Sequence, residues 1–122
     1  MFKIKRQLIL DLLKASSNLF PLEFFSMLAY TKDKNLIDEY VVVPSEYSQN
    51  SVSIKPWLVP FDRKIVGTLH SHPNSFNKPS LTDLQNFAKF GEIHLITCPP
   101  FDLDSFSAFD NYGNRLELEV VD

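Results

Sequence analysis

The stretch from Lys64 to Thr97 constrains the fold more than any other part of the chain. Lys64–Ser71 is an apolar run with the character of a strand, and Pro73 stops it. Residues 74–79 carry the polar and proline signals of a loop. Leu81 to about Phe90 reads as a helix, with Gly91 where a C-terminal glycine cap is expected. Ile93–Thr97 is again a strand. Helices interleaved with strands are the mark of an α/β domain.

The rest of the chain extends the same pattern. Leu8, Leu12 and Leu13, with Ile9 beside Leu8, have helical spacing, so a helix is predicted from Lys5 to about Asn18. Pro21 ends it, and the aromatic-rich Phe24–Tyr30 reads as a buried strand. Lys32–Asn35 reads as a turn. Asp38–Val43 is a strand closed by Pro44, Ser45–Ser51 a polar loop, and Val52–Ile54 a short strand. Pro56 and Pro60 interrupt the chain between that strand and Lys64. Ser105–Phe109 and Leu116–Val121 flank "DNYGN" and read as a terminal hairpin. The expectation is one domain with a mixed sheet between helices, without repeat, linker or low-complexity tract.

Composition narrows the function. The 122 residues are 44% hydrophobic and 13% aromatic, enough for a real core and against disorder. A net charge of -3 without a basic face argues against nucleic acid as a partner. Cys98 is the one cysteine, so neither an intramolecular disulfide nor a CxxC zinc knuckle is available. Any metal here must be held by histidine and carboxylate. The N-terminus has the basic start of a signal peptide, but Asp11 and Lys14 interrupt its apolar stretch. No segment approaches the ~20 apolar residues of a membrane span. The expectation is a cytoplasmic protein with no membrane association.

His70 and His72 stand two apart on a strand, so both imidazoles project from one face. Pro73 ends the strand directly after, which places the pair at an edge rather than deep in the sheet. Asp83, in the first turn of the next helix, can supply a third ligand once the loop folds back. Two histidines and a carboxylate suit zinc, and three protein ligands leave the open position typical of a catalytic site. Ser80 and Asp83 also form S-x-x-D, a capping signature, with Ser80 as N-cap and Asp83 complementing the helix dipole. Capping does not exclude metal binding, because one carboxylate oxygen can face the backbone and the other the ion. It also leaves the same-face histidines unexplained.

A zinc hydrolase needs a proton shuttle, and Glu23, Asp38, Glu39, Glu46 and Glu92 are the candidates. Spacing alone does not choose among them. Glu23 sits among Phe20, Leu22, Phe24 and Phe25, and an apolar setting would raise its pKa into the working range. The alternative is an exposed carboxylate at a strand end.

"HSHP" followed by "PSLTD" resembles the JAMM motif of the MPN-plus metalloproteases: H-x-H, ten residues, then aspartate, with a serine three before it. "FPLEFFSMLAY" is similar to the family's upstream segment, and Glu23 falls on its glutamate. The resemblance runs from the first helix to "RLELEVV" and implies a single MPN/JAMM-like domain over residues 1–122. Its α/β fold would be a mixed, mostly antiparallel sheet flanked by helices, with cytidine-deaminase-like layering. It implies one zinc per chain on His70, His72 and Asp83, Glu23 as general acid/base, and Ser80 as the hydroxyl that stabilises the oxyanion. The reaction implied is amide hydrolysis, often of the isopeptide bond after the C-terminal glycine of a ubiquitin-like modifier. The short loop between His72 and Ser80 is most similar to minimal archaeal or bacterial members, whose partners are small ubiquitin-like modifiers or sulfur-carrier proteins. Such a protein would be a monomer or a homodimer.

Of the other residues, His94 reads as structural or surface polar, Cys98 as a small buried hydrophobe, Trp57 as packing, and Phe76 as a candidate wall of the substrate groove. A zinc nucleobase deaminase would need H-x-E and P-C-x-x-C, which a single cysteine rules out. A non-catalytic MPN scaffold, or a hydrolase of another amide on the same fold, are the remaining rivals.

Overall fold

In the computed structural model of the chain, residues 1–42, 45–47, 52–54, 64–74 and 78–122 are described. The elements run β1 (Phe2–Lys5), α1 (Arg6–Leu19), β2 (Phe25–Ala29), β3 (Leu36–Ile37), β4 (Glu39–Val41), β5 (Ser45–Tyr47) and β6 (Val52–Ile54). They continue with β7 (Ile65–Ser71), α2 (Leu81–Phe87), β8 (Ile93–Thr97), β9 (Phe106–Phe109), β10 (Arg115–Leu116) and β11 (Leu118–Val121).

A six-stranded sheet in the order β10-β9-β8-β7-β2-β4 is the spine. Every pairing in it is antiparallel except β7 with β8. That pair is parallel because the chain between the two strands crosses over through α2. The mixed, mostly antiparallel sheet is therefore as expected. The register also sets the site. β2 runs against β7, and β8 runs with it, so the start of β2 and the ends of β7 and β8 lie at one edge of the sheet.

α1 forms where the apolar spacing predicts it. Leu8, Ile9, Leu12, Leu13 and Ser16 are its buried face. Each buried leucine or isoleucine contributes roughly 1.5–3 kcal/mol of transfer free energy. They pack with Ile4, Phe24, Leu28, Leu69, Ile93 and Leu95 in the core. The helix stops at Phe20, whose N–H reaches the Ser16 carbonyl at 3.1 Å just before Pro21.

Several expectations are corrected. Phe2–Lys5 is a strand, pairing in parallel with β11 and with β3. The predicted strand Asp38–Val43 is present as Glu39–Val41, which joins β2, and a two-residue strand that was not predicted, Leu36–Ile37, precedes it and joins β1. One chain segment thus serves two sheets. Val43 and Pro44 lie outside the described residues. The front of the predicted Ser45–Ser51 loop is strand, since Ser45–Tyr47 pairs with Val52–Ile54. The terminal hairpin forms as far as Leu116, opposite Ala108, and then Leu118–Val121 leaves it for β1. Pro56, Trp57, Pro60 and Phe76, and the expectations attached to them, lie outside the described residues. The turn at 32–35 is present, with the Asp33 carboxylate accepting the Asn35 N–H at 2.9 Å.

α2 is shorter than predicted and passes into a 3-10 turn over Ala88–Phe90 before Gly91. Gly91 has φ 139°, far from the αL geometry of a glycine cap. A Cβ built on it would lie 2.2 Å from the Val66 carbonyl oxygen. Glycine is needed because the chain passes hard against β7 there. No described helix is long and apolar enough to cross a membrane.

Candidate metal centre

β7 is a central strand, with Phe25 of β2 opposite His70 on one side and Ile96 of β8 on the other. His70 is consequently 2% exposed. The pair sits at the end of the strand, as expected, but His70 is deep in the sheet rather than at its edge. His72 lies one residue beyond β7. Its backbone N–H still reaches the Thr97 carbonyl at 2.8 Å, so the ladder holds its position although Pro73 has no N–H to continue it. The two imidazole rings stand 5.1 Å apart between centroids.

The start of α2 brings the third group. The Ser80 N–H donates to Asp83 Oδ2 at 2.9 Å, and the Asp83 N–H donates to Ser80 Oγ at 3.1 Å. This is the reciprocal capping arrangement, with aspartate in the usual place of glutamate. The same Oδ2 lies 3.1 Å from His72 Nε2 and 3.3 Å from His70 Nε2. The expected division of labour between two carboxylate oxygens is therefore corrected: one oxygen faces both the helix start and the histidines.

Electrostatics match this geometry. Burial pushes the Asp83 carboxyl up, but hydrogen bonds with His70, His72 and the Ser80 N–H outweigh it. The carboxyl is held well below the usual carboxylate range. Burial lowers the His70 pKa, against the upward pull of Asp83, which favours the neutral ring. A neutral imidazole and an ionised carboxylate are the forms that bind metal.

Glu23 lies just before β2 and is 6% exposed, which decides between its two readings. Leu22 and Phe20 are partly exposed, at 39% and 47%, while Phe24 and Phe25 are buried beside it. Burial raises its carboxyl to about 7, with His72 lowering it and Asp83 raising it. Glu23 therefore shares an electrostatic environment with the histidine–aspartate group. Asp38, Glu39 and Glu92 are engaged elsewhere. Asp38 accepts the Thr31 N–H at 3.0 Å, Glu92 pairs with Lys34 at 2.7 Å, and Glu39 stands opposite Ala29 at the far end of β2. The side chain of Glu46 lies outside the described residues.

His94 is structural, as expected. Its ring nitrogens contact Thr68 Oγ1 at 2.7 Å and Asn111 Oδ1 at 2.6 Å. Cys98 is buried, its Sγ 3.2 Å from the Ser105 carbonyl oxygen, and burial raises its thiol pKa. Ser71 carries no signal in the sequence, because strand alternation turns it away from the histidine face. It is 2% exposed, and its hydroxyl accepts the Phe24 N–H at 2.7 Å.

Among the described residues, His70, His72 and Asp83 are the group that could hold a metal, with ligand atoms all within 4.8 Å of one another. Zinc bonds of ~2.0–2.1 Å at tetrahedral angles separate two donors by roughly 3.3 Å. The two spacings to Asp83 Oδ2, 3.1 and 3.3 Å, are close to that value. The donor set and its spacing both fit zinc.

Comparison with known proteins agrees. A family model described as prokaryotic homologs of the JAB domain matches residues 5–111. A Haloferax volcanii protein described as a "probable metalloprotease" is 32% identical over 119 residues, covering 90% of this chain and 73% of its own. A solved JAB1/MPN domain protein from Archaeoglobus fulgidus has a TM-score of 0.78 at 32% identity, covering 100% of this chain and 98% of that one. A second solved structure, described as "JAMM: A Metalloprotease-like Zinc Site in the Proteasome and Signalosome", has a TM-score of 0.79 at 33% identity and covers 100% and 99%.

Proposed function

The chain belongs to the family of prokaryotic homologues of the JAB domain, a minimal JAMM/MPN type, and from that premise we propose that it is a zinc-dependent peptidase. Its substrate class is the amide bond after the C-terminal Gly-Gly of a ubiquitin-like modifier or sulfur-carrier protein. The observation that carries this reading is a buried carboxyl, Glu23, poised at about 7 in the electrostatic field of the His70–His72–Asp83 group.

His70, His72 and Asp83 would hold one zinc per chain. Zinc there would supply Lewis acidity, bringing the pKa of water down to roughly 7 and polarising the amide carbonyl. Glu23 takes the proton of the attacking water and returns it to the leaving amine. A carboxyl near 7 is populated in both forms at neutral pH, which suits both transfers. Ser80 Oγ accepts the Asp83 N–H, which leaves its O–H able to donate to the oxygen on which negative charge develops.

The Gly-Gly specificity rests on the family. It is compatible with β4, next to β2, which is the edge strand of the main sheet among the described residues and to which an extended tail can add as a strand. Small cytoplasmic modifier proteins are the partners this reading implies.

The test is incubation of zinc-loaded protein with a Gly-Gly-linked modifier conjugate, with Glu23→Gln alongside. Chelator-sensitive cleavage that disappears in Glu23→Gln, while zinc content is retained, is the expected result. A folded, fully zinc-loaded protein that leaves the conjugate intact would turn the reading toward another amide or a binding role.

A further inference from the structure

The regular pairing of β2 with β7 ends at Phe25 and His70. One step further, the two residues of an antiparallel hydrogen-bonded pair should exchange two backbone bonds. Only one is made in that way: the Ser71 N–H donates to the Phe24 carbonyl at 2.9 Å. The Phe24 N–H goes instead to the Ser71 hydroxyl, at 2.7 Å. A side-chain oxygen has taken the place of a ladder carbonyl. Both residues are buried, Ser71 at 2% and Phe24 at 7% exposure, so neither has water as a ready substitute.

The consequence falls on Glu23. The serine oxygen lies off the ladder line, so β2 leaves the regular pairing at Phe24, and Glu23 is the next residue out. Ser71 belongs to the other partner of the geometry, because it is the residue between His70 and His72. Its side chain points to the α1 face while theirs point to the opposite one. One residue therefore fixes the histidines through its backbone and the carboxylate segment through its hydroxyl. We propose that Ser71 is a positioning residue that sets Glu23 in register with the His70–His72–Asp83 group, through the hydroxyl that replaces a ladder carbonyl. The inference rests on the peptidase reading for its catalytic consequence, but not for its geometry.

Two readouts test it, one of them independent of activity. By amide hydrogen exchange on the zinc-loaded protein, the Phe24 N–H should be protected in wild type, exchange faster in Ser71→Ala, and regain protection in Ser71→Thr. Unchanged exchange in Ser71→Ala would overturn the proposal whatever the protein cleaves. The second readout is a double-mutant cycle on cleavage of the Gly-Gly conjugate. Ser71→Ala should lower kcat by ~10- to 100-fold, the scale expected when a reacting group is displaced by about 1 Å. KM and zinc affinity, measured by chelator competition, should change little, and Ser71→Thr should recover most of kcat. Adding Ser71→Ala to Glu23→Gln should cost far less than it does in wild type. Full additivity, or a loss of rate that tracks loss of zinc, would reduce Ser71 to a structural residue. A wild-type protein that leaves the conjugate intact would reject the Gly-Gly substrate reading, and the Phe24 exchange would still decide the positioning.

Discussion

At Asp83 a single carboxylate oxygen closes the first turn of α2 and faces two imidazoles. That economy ties the helix start to the site at atomic scale. Glu23 is the other telling residue, because its pKa shift is also a statement about stability. Its folded value, about 7, lies above the unfolded 4.5. Its contribution to stability is therefore fully present below pH 4.5 and is lost as pH rises through 7. In metal-free protein, Glu23→Gln should accordingly be more stable than wild type at pH 8, by ~1–3 kcal/mol, and the gap should close below pH 4.5. Urea melts at pH 4 and pH 8 check this. A gap of the same size at both would mean that ionisation is not its origin. The carboxyl itself was legible as a candidate in the sequence; its burial was not, since its sequence neighbours Phe20 and Leu22 turn out to be partly exposed while Glu23 is covered.

Among the elements, α2 and the crossover around it carry two roles at once. Ser80 is both the N-cap of α2 and the proposed oxyanion donor, so Ser80→Ala should fail in two ways. Loss of the cap costs ~1 kcal/mol of stability. The rate should fall further than unfolding accounts for, and thermal melts run beside turnover separate the two effects. At the other end of the crossover, Gly91 has no room for a side chain. Gly91→Ala should destabilise by at least ~2 kcal/mol, because it combines a backbone clash with an unfavourable φ. A neutral result in a denaturant melt would show that β7 and the 3-10 turn can separate at no cost. The S-x-x-D cap was readable from spacing, because capping is local chemistry. The reason for Gly91 was not, because it depends on a strand residue, Val66, distant in the chain.

For the molecule as a whole, the pairing of its two ends is the feature that local reasoning missed. β11 lies parallel to β1, Leu118 and Val120 pack on the core, and Asp122 meets Arg6 at 2.9 Å. Deleting residues 118–122 should uncover Ile4 and the α1 face and cost on the order of 2–4 kcal/mol of folding stability. Thermal unfolding monitored by circular dichroism would show it, and an unchanged midpoint would mean that the end-to-end sheet contributes nothing.

The sequence by itself determined the interleaved helices and strands, the hairpin turn, the capped start of α2 and which three side chains could together hold a metal. These rest on period, turn chemistry and short spacing, all of which act within a few residues. Only the tertiary structure decided which strands pair, why residues 36–41 serve two sheets, and how deeply Glu23 and His70 are buried. Strand partners and burial depend on groups distant in the chain. So does the hydrogen bond from Phe24 to Ser71, forty-seven residues apart, because it arises only where two strands meet and one of them departs.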